Sequence, residues 1–452
     1  MLKGMSVAAT TLGCKVNQAE TDSMLDMLKA AGANIVEFDE KADIYIVNTC
    51  SVTNIADKKS RQMLHRARKM NPDGIVIAAG CYVQSAREIL EQDEAIDIVI
   101  SNNKKKSITE IVNDYINVRN NEKNAPGKDH EAMEYFVDIS RETEYEEMGG
   151  HVPVGHTRAY VKIQDGCNQF CSYCIIPYVR GRIRSRSQEA ILAEVSELAE
   201  AGIKEVVLTG IHISSYGKDK NNEGALIELI EAISKIKGIK RIRLGSLEPG
   251  IITEEFVERI SSNSKVCPHF HLSLQSGCDS VLKRMNRKYT CEQYFEKCDM
   301  LRKAYKSPAL TTDVIVGFPG ETEEEFAETV RYLTELNLYE MHIFKYSPRK
   351  GTVAAAKKEQ VAPEIKNERS DVLLKLAHDN KTAYEAQFEG CELEVLVEEV
   401  VKKDNKTYLR GHTERYMDIL IDVGDISMPE SFVNSFVYVT YTQNGGNLPL
   451  LL

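Results

Sequence analysis

The feature that most limits what this chain can fold into is a run of three cysteines, GCNQFCSYC, with Cys167, Cys171 and Cys174 spaced Cys-x3-Cys-x2-Cys. The run follows directly on a strand-like segment, AYVKI, and the next cysteine is Cys267, far along the chain. A structural zinc site closes with four ligands. A bacterial ferredoxin run supplies four cysteines at a different spacing. Packing in a core needs no spacing at all. Three thiolates on a four-iron cluster leave one iron open, which suits a cluster that binds something besides protein. The fold must therefore bring a strand end, a short loop and an open pocket to one place.

A chain of 452 residues exceeds one ordinary core, and at roughly 100 to 200 residues per domain it predicts about three domains. No apolar run is long enough to cross a bilayer, and Met1 to Thr10 lacks a secretory signal, so a cytoplasmic location is expected. Eleven cysteines in a reducing compartment point to metal or catalysis rather than disulfides. The formal charge of -11 excludes a wholesale nucleic-acid wrapper but leaves local basic patches open. Two stand out: RGRIRSR, with Arg180, Arg182, Arg184 and Arg186, and KKSRQMLHRARK, from Lys58 to Lys69. For each, a solvated face is the default reading and RNA binding the alternative.

The pattern of short apolar runs and amphipathic stretches predicts an α/β fold. Residues 1–116 read as a doubly wound α/β domain with strands at Thr10–Leu12, Ile44–Val47 and Ile75–Ala78. Each strand runs into a cysteine: Cys14, Cys50 and Cys81. Ligands gather beyond the carboxyl ends of parallel strands, so these three can converge. Residues 117–150 read as a polar, acidic linker with a short strand around Phe136. Residues 151–383 hold six strand-then-helix units, which predict an incomplete (β/α)6 barrel with its site at the carboxyl ends of the strands. Residues 384–446 read as a small all-β barrel of the OB type. There, Lys402, Lys403, Lys406, Tyr408 and Arg410 interleave base and aromatic, as suits RNA, although a solvated face is the default. Cys267, Cys278, Cys291, Cys298 and Cys391 lack ligand-like spacing and are expected to have no cluster role.

Around its first motif the chain resembles the radical S-adenosylmethionine superfamily. The segments LGCKVNQAETDSM, NTCSVTNIADKKSR, AAGCYVQ, CNQFCSYCIIPYVRGRIRSR, LGSLEP, HLSLQSGCDSVLKRMNRKYT and DVIVGFPGETEEEF narrow the resemblance to the methylthiotransferases. The resemblance implies one 4Fe-4S cluster on Cys167, Cys171 and Cys174 that binds S-adenosylmethionine and generates a 5'-deoxyadenosyl radical. It implies a second 4Fe-4S cluster on Cys14, Cys50 and Cys81 through which sulfur is delivered, and a carboxyl-terminal TRAM module that binds RNA. The branch it implies inserts sulfur and a methyl group at carbon 2 of threonylcarbamoyladenosine beside the tRNA anticodon. Relatives act on isopentenyladenosine in tRNA or on an aspartate of a ribosomal protein.

Cofactor contacts expected from the resemblance are the strand end at Thr209 and Gly210. Strand alternation adds Ser273 and Gln275, if Leu272 and Leu274 pack outward, and the VGFPGET turn adds Gly317 near the adenine, or else is an ordinary loop. Arg182, Arg184 and Arg186 are expected on RNA. The implied partners are the tRNA anticodon loop and an electron donor such as flavodoxin or ferredoxin, with no membrane; the oligomeric state is left open. A non-catalytic iron-sulfur RNA-binding regulator is the rival class, for which an open iron and a six-strand barrel are surplus.

Overall fold

The computed structural model describes residues 2–122, 133–149, 157–404, 406–424, 428–442 and 445–447. The amino-terminal sheet is parallel throughout, in the order β2-β1-β3-β4-β5-β6. Its strands are β1 (Ser6–Thr11), β2 (Asn34–Val36), β3 (Ile44–Thr49), β4 (Ile75–Gly80), β5 (Ile98–Ile100) and β6 (Met133–Tyr135). Strand β3, IYIVNT, is buried along its whole length because both faces are covered, as parallel sheets require. Ile44 and Ile46 enter one core while Tyr45 and Val47 enter the other. The helices α1 (Lys15–Ala30) and α2 (Asn54–Met70) follow β1 and β3. Thr53 caps α2 by accepting from the Ala56 N–H.

The strand expected near Phe136 lies at Met133–Tyr135 and pairs with β5, so this part of the expected linker completes the sheet. Residues 123–132 and 150–156 of the same stretch lie outside the described residues.

The six expected barrel strands are present as β7 (Arg158–Asp165), β9 (Glu205–Gly210), β10 (Arg241–Leu244), β11 (His269–His271), β12 (Ala309–Val316) and β13 (Glu340–Lys345). A two-residue strand, β8 (Arg184–Ser185), runs antiparallel to the end of β7. The strands form two sheets, β10-β9-β7-β8 and β11-β12-β13, linked by isolated bridges such as Leu247 to Leu272. Alternation is clean: Val161, Val206, Ile242, Leu272 and Val314 pack against the helices. Polar residues take the opposite face, turned into the barrel.

The tail forms a closed barrel of β14 (Glu392–Lys403), β15 (Lys406–Thr413), β16 (Asp418–Asp422), β17 (Phe436–Thr442) and β18 (Gly445–Asn447). It sits under the amino ends of the large barrel's strands. Arg241 donates to the carbonyls of His412 and Glu394, and Arg243 to those of Thr413 and Glu414. The Tyr416 ring lies against the guanidinium groups of Arg158 and Arg243, at 5.0 and 4.8 Å.

The amino-terminal domain and the barrel meet at a buried set of charges. Glu20 of α1 receives Lys105, Arg180 and Lys162, the last at 2.7 Å. Lys162 and Arg180 also reach Asp165, at 2.6 and 3.1 Å. Breaking such a group is costly, because the partners left behind stay buried and charged. Glu20→Ala should therefore cost about 3–5 kcal/mol and lower the apparent melting temperature by about ten degrees. Arg410→Ala, at a half-exposed pair, should change it by about a degree at most. Thermal melts of the two variants test this; equal melting would show that the seam does not support the fold.

Candidate active site

Both cysteine trios are built by strand ends. Cys14 occupies the N-cap position of α1, Cys50 follows β3 directly, and Cys81 opens the short helix after β4. Gly13 has φ +103°, and a Cβ there would stand 2.7 Å from the Cys50 sulfur, so a side chain would push the Cys14 loop off Cys50. Burial pushes the Cys50 thiol up to about 11, and the nearby Cys81 and Cys14 push in the same direction.

The second trio lies in the loop after β7. Cys167 is buried, while Cys171 and Cys174 are half-buried. The loop is closed by backbone: Gly166 has φ +73°, a Cβ on it would fall 1.8 Å from the Arg182 carbonyl, and the Cys167 N–H donates to the Gly181 carbonyl at 3.0 Å. Burial first, then the neighbouring thiols, pushes Cys174 up to about 12.

In both trios burial disfavours thiolates, at Cys50 in one and at Cys167 and Cys174 in the other, and a bound metal would supply the positive charge that ionisation needs. Two arginines point at them: Arg180 Nε donates to the Cys81 sulfur at 3.2 Å, and an Arg287 terminal nitrogen donates to the Cys171 sulfur at 3.2 Å. A single tetrahedral zinc, with thiolates about 2.3 Å from the metal, gathers its sulfurs to within about 4 Å of one another. Among the described residues, the only group of three ligand atoms all within 4.8 Å of one another is His271, Asp313 and His342, on β11, β12 and β13. The trios are wider than a zinc site, and their all-sulfur donor sets suit an iron-sulfur cluster.

The barrel mouth beside Cys167 is polar and ordered. Thr209 is buried at the end of β9 and Gly210 half-buried beside it. Gly210 lies against the Gln164 carbonyl, which a Cβ would approach to 3.0 Å. Leu272 and Leu274 pack in the core, the phase that turns Ser273 and Gln275 the other way. The Ser273 carbonyl accepts from Arg287 and Tyr289, at 3.0 and 2.5 Å. Gln275 has φ +75° and bridges the Asp313 and Ile315 peptides. Gly317 serves a turn, with φ +69°, and a Cβ on it would meet the Lys366 side chain of the long helix Pro363–Ala386 at 2.3 Å.

The structure corrects the expected role of two arginines. Arg184 is buried and donates to the Arg180 and Arg182 carbonyls, and Arg186 is buried and paired with Glu147 and Glu194. Neither guanidinium is free for a phosphate. Arg182 is exposed and lies over the Phe170 ring at 4.5 Å. Lys402, Lys403 and Lys406 are exposed at the β14–β15 hairpin, with Tyr408 half-buried; Arg410 is half-exposed and held by Asp418 and Glu399.

Residues missed by sequence reasoning are Glu20, Lys162, Asp165, His212, Glu248 and Arg287. Glu248 accepts from Arg287 at 3.0 Å and lies 3.3 Å from His212 Nε2. Burial raises its carboxyl, but His212 and Arg287 outweigh burial and hold it below the usual range. Its signal was the LGSLEP segment, which carried no role by spacing alone.

An incomplete six-strand parallel barrel with three cysteines after its first strand defines a radical S-adenosylmethionine enzyme. The chain matches the Radical SAM superfamily over residues 161–333 and Uncharacterized protein family UPF0004 over residues 6–101. It is 39% identical over 416 residues to the threonylcarbamoyladenosine tRNA methylthiotransferase MtaB of Bacillus subtilis, covering 92% of this chain and 90% of that one. The tRNA-2-methylthio-N(6)-dimethylallyladenosine synthase of Thermoanaerobacter pseudethanolicus is 35% identical over 443 residues, covering 96% and 90%. The radical S-adenosylmethionine methyltransferase TsrM of Kitasatospora setae shares the fold at TM-score 0.56 and 15% identity, covering 75% of this chain and 73% of that one. The chain belongs to the radical S-adenosylmethionine methylthiotransferase family. It is a transferase whose cofactors include S-adenosylmethionine and a 4Fe-4S cluster.

The closed Gly166 loop generates a direct test. Gly166→Ala should lose the iron and visible absorption of the adjacent cluster while far-UV circular dichroism stays that of the parent. Undiminished cofactor cleavage by this variant would show that the loop geometry is dispensable.

Proposed function

We propose that the enzyme converts threonylcarbamoyladenosine, beside the anticodon of cytoplasmic tRNA, to its 2-methylthio derivative, using two 4Fe-4S clusters. The single observation that carries this reading is that two cysteine trios stand at strand ends, with Arg180, one short helix after Cys174, donating to the Cys81 sulfur. One site alone would serve radical chemistry; the second gives sulfur a separate point of delivery.

Cys167, Cys171 and Cys174 hold the cluster that, when bound, supplies the electron for cleaving S-adenosylmethionine to methionine and a 5'-deoxyadenosyl radical. An unactivated C–H bond yields to no side-chain base, so the cofactor must carry that step. The chain's own residues position and exclude. Thr209, Gly210, Ser273 and Gln275 line the mouth where the cofactor binds. Arg287 steadies Cys171 and ties it to Glu248. Cys14, Cys50 and Cys81 hold the second cluster, with Arg180 as hydrogen-bond donor to Cys81.

The buried seam supports an anionic group at Cys81. Lys105, Lys162, Arg180 and Arg184 face Glu20 and Asp165, both held below the usual carboxylate range, while burial pushes the nearby Glu146 carboxyl up. Cations are in surplus there. RNA is held by Arg182 and by Lys402, Lys403, Lys406, Tyr408 and Arg410 of the TRAM module. A flavodoxin or ferredoxin supplies electrons.

The relatives named as dimethylallyladenosine synthases favour a second reading, in which the same chemistry acts on that nucleoside. Nucleoside mass spectrometry of tRNA from a deletion strain decides between them, since the proposal requires loss of 2-methylthio-threonylcarbamoyladenosine. With purified protein, Cys174→Ala should abolish 5'-deoxyadenosine formation. Cys14→Ala should retain it and lose the methylthiolated product; loss of both activities in Cys14→Ala would sink the division of labour.

A further inference from the structure

The basic run from Lys58 to Lys69 is left without a role by the two cysteine sites. It forms most of α2, where Ser60, Leu64 and Ala67 face the sheet. Lys58, Lys59, Gln62, Arg66 and Lys69 occupy the opposite, exposed face. On a chain of net charge -11, this helix carries six Lys and Arg residues against Asp57 alone. Among the described residues, Lys58, Lys59 and Lys69 have no carboxylate partner, and the Arg66–Asp39 pair is exposed. Three cations of this face are thus left unneutralised among the described residues, while Arg68 of the same helix is paired with Asp97.

Its position is specific. The N-terminus of α2 is pinned to the rim of the barrel mouth: the Asn54 N–H donates to Ser347, and Arg349 donates to Ser51, Asn54 and Asp57 at 2.7–2.8 Å. The same rim segment reaches the cluster loop, where the Ala354 N–H donates to the Ser172 carbonyl. The rim also exposes apolar and aromatic side chains. Val52, Ile55 and Val353 are 52%, 79% and 64% exposed, and Tyr178 and Phe344 about half exposed.

We infer that this rim and the α2 face form a tRNA surface on the amino-terminal domain, separate from the TRAM module. The rim side chains take unpaired anticodon-loop bases, and Lys58, Lys59 and Lys69 follow the backbone of the stem. This rests on tRNA being the substrate. A base that must enter the barrel remains bonded to its strand, so the backbone has to leave across the rim. From Lys58 to Lys69 the helix covers about 16 Å, room for several nucleotides. Exposed rings and apolar side chains at a mouth suit splayed bases.

The test uses the full reconstituted protein with Lys58→Gln, Lys59→Gln and Lys69→Gln combined, and tRNA carrying threonylcarbamoyladenosine. Affinity is measured anaerobically across a salt series, and 5'-deoxyadenosine formation without RNA reports an intact radical site. The triple variant should bind tRNA about tenfold more weakly, with the slope of log affinity against log salt shallower by about 2. Ile55→Ser should weaken binding with no change in slope, and cofactor cleavage should match the parent in both. Parental affinity and slope in the triple variant would overturn the inference. So would unchanged tRNA binding with slower reduction by flavodoxin, which would assign the face to an acidic electron carrier. Failure of the parent protein itself to bind tRNA would instead reject the substrate reading on which the inference rests.

Discussion

The Arg180 side chain is the constraint on which the rest of the site depends. It is fully buried and spends its guanidinium on Cys81, Asn17, Glu20 and Asp165, groups drawn from both the amino-terminal domain and the barrel. A guanidinium fork can satisfy several acceptors at once in a fixed plane, which an ammonium cannot. The residue follows Cys174 by one short helix, Ile176–Arg180, so the contact couples the Cys167 trio to the Cys14 trio through about two turns of backbone. Neither trio can shift without disturbing a buried charge.

The large barrel's polar interior follows from the same economy of partners. An incomplete barrel leaves inward charges without a closed wall, and here two separate structures supply it. Helix α1 and Glu20 cover one side, while Tyr416 and the carbonyls of the tail barrel cover the amino ends of the strands. The tail module thus has a structural duty at the base of the barrel as well as an exposed lysine hairpin, and these lie on different parts of its surface.

Reading the arginines by proximity in sequence went astray for a physical reason. Arg180, Arg182, Arg184 and Arg186 alternate with small or apolar residues, and that pattern fits a charged surface strand. Three of the four turn inward: Arg180 and Arg186 meet acidic partners from elsewhere, Glu20 at 160 positions and Glu147 at 39, and Arg184 donates to the Arg180 and Arg182 carbonyls. Only Arg182 faces outward. The α2 run, by contrast, is on the surface, because its apolar residues recur at helical spacing and claim the opposite face.

What the sequence determined by itself is what depends on local spacing: the strand-to-cysteine junctions at Cys14, Cys50 and Cys81, the Cys167 loop, the alternation that separates Leu272 and Leu274 from Ser273, and the order of the three folds. These follow from periods of two and 3.6 residues and from the short reach of a turn. What only the tertiary structure decided is which charges meet. Partners such as Glu20 with Arg180, Arg287 with Cys171, and Arg243 with the tail carbonyls are far apart along the chain, and burial selects them by geometry after the backbone has folded. A local pattern carries the positions of the cysteines; the electrostatic environment around them is a property of the packed whole.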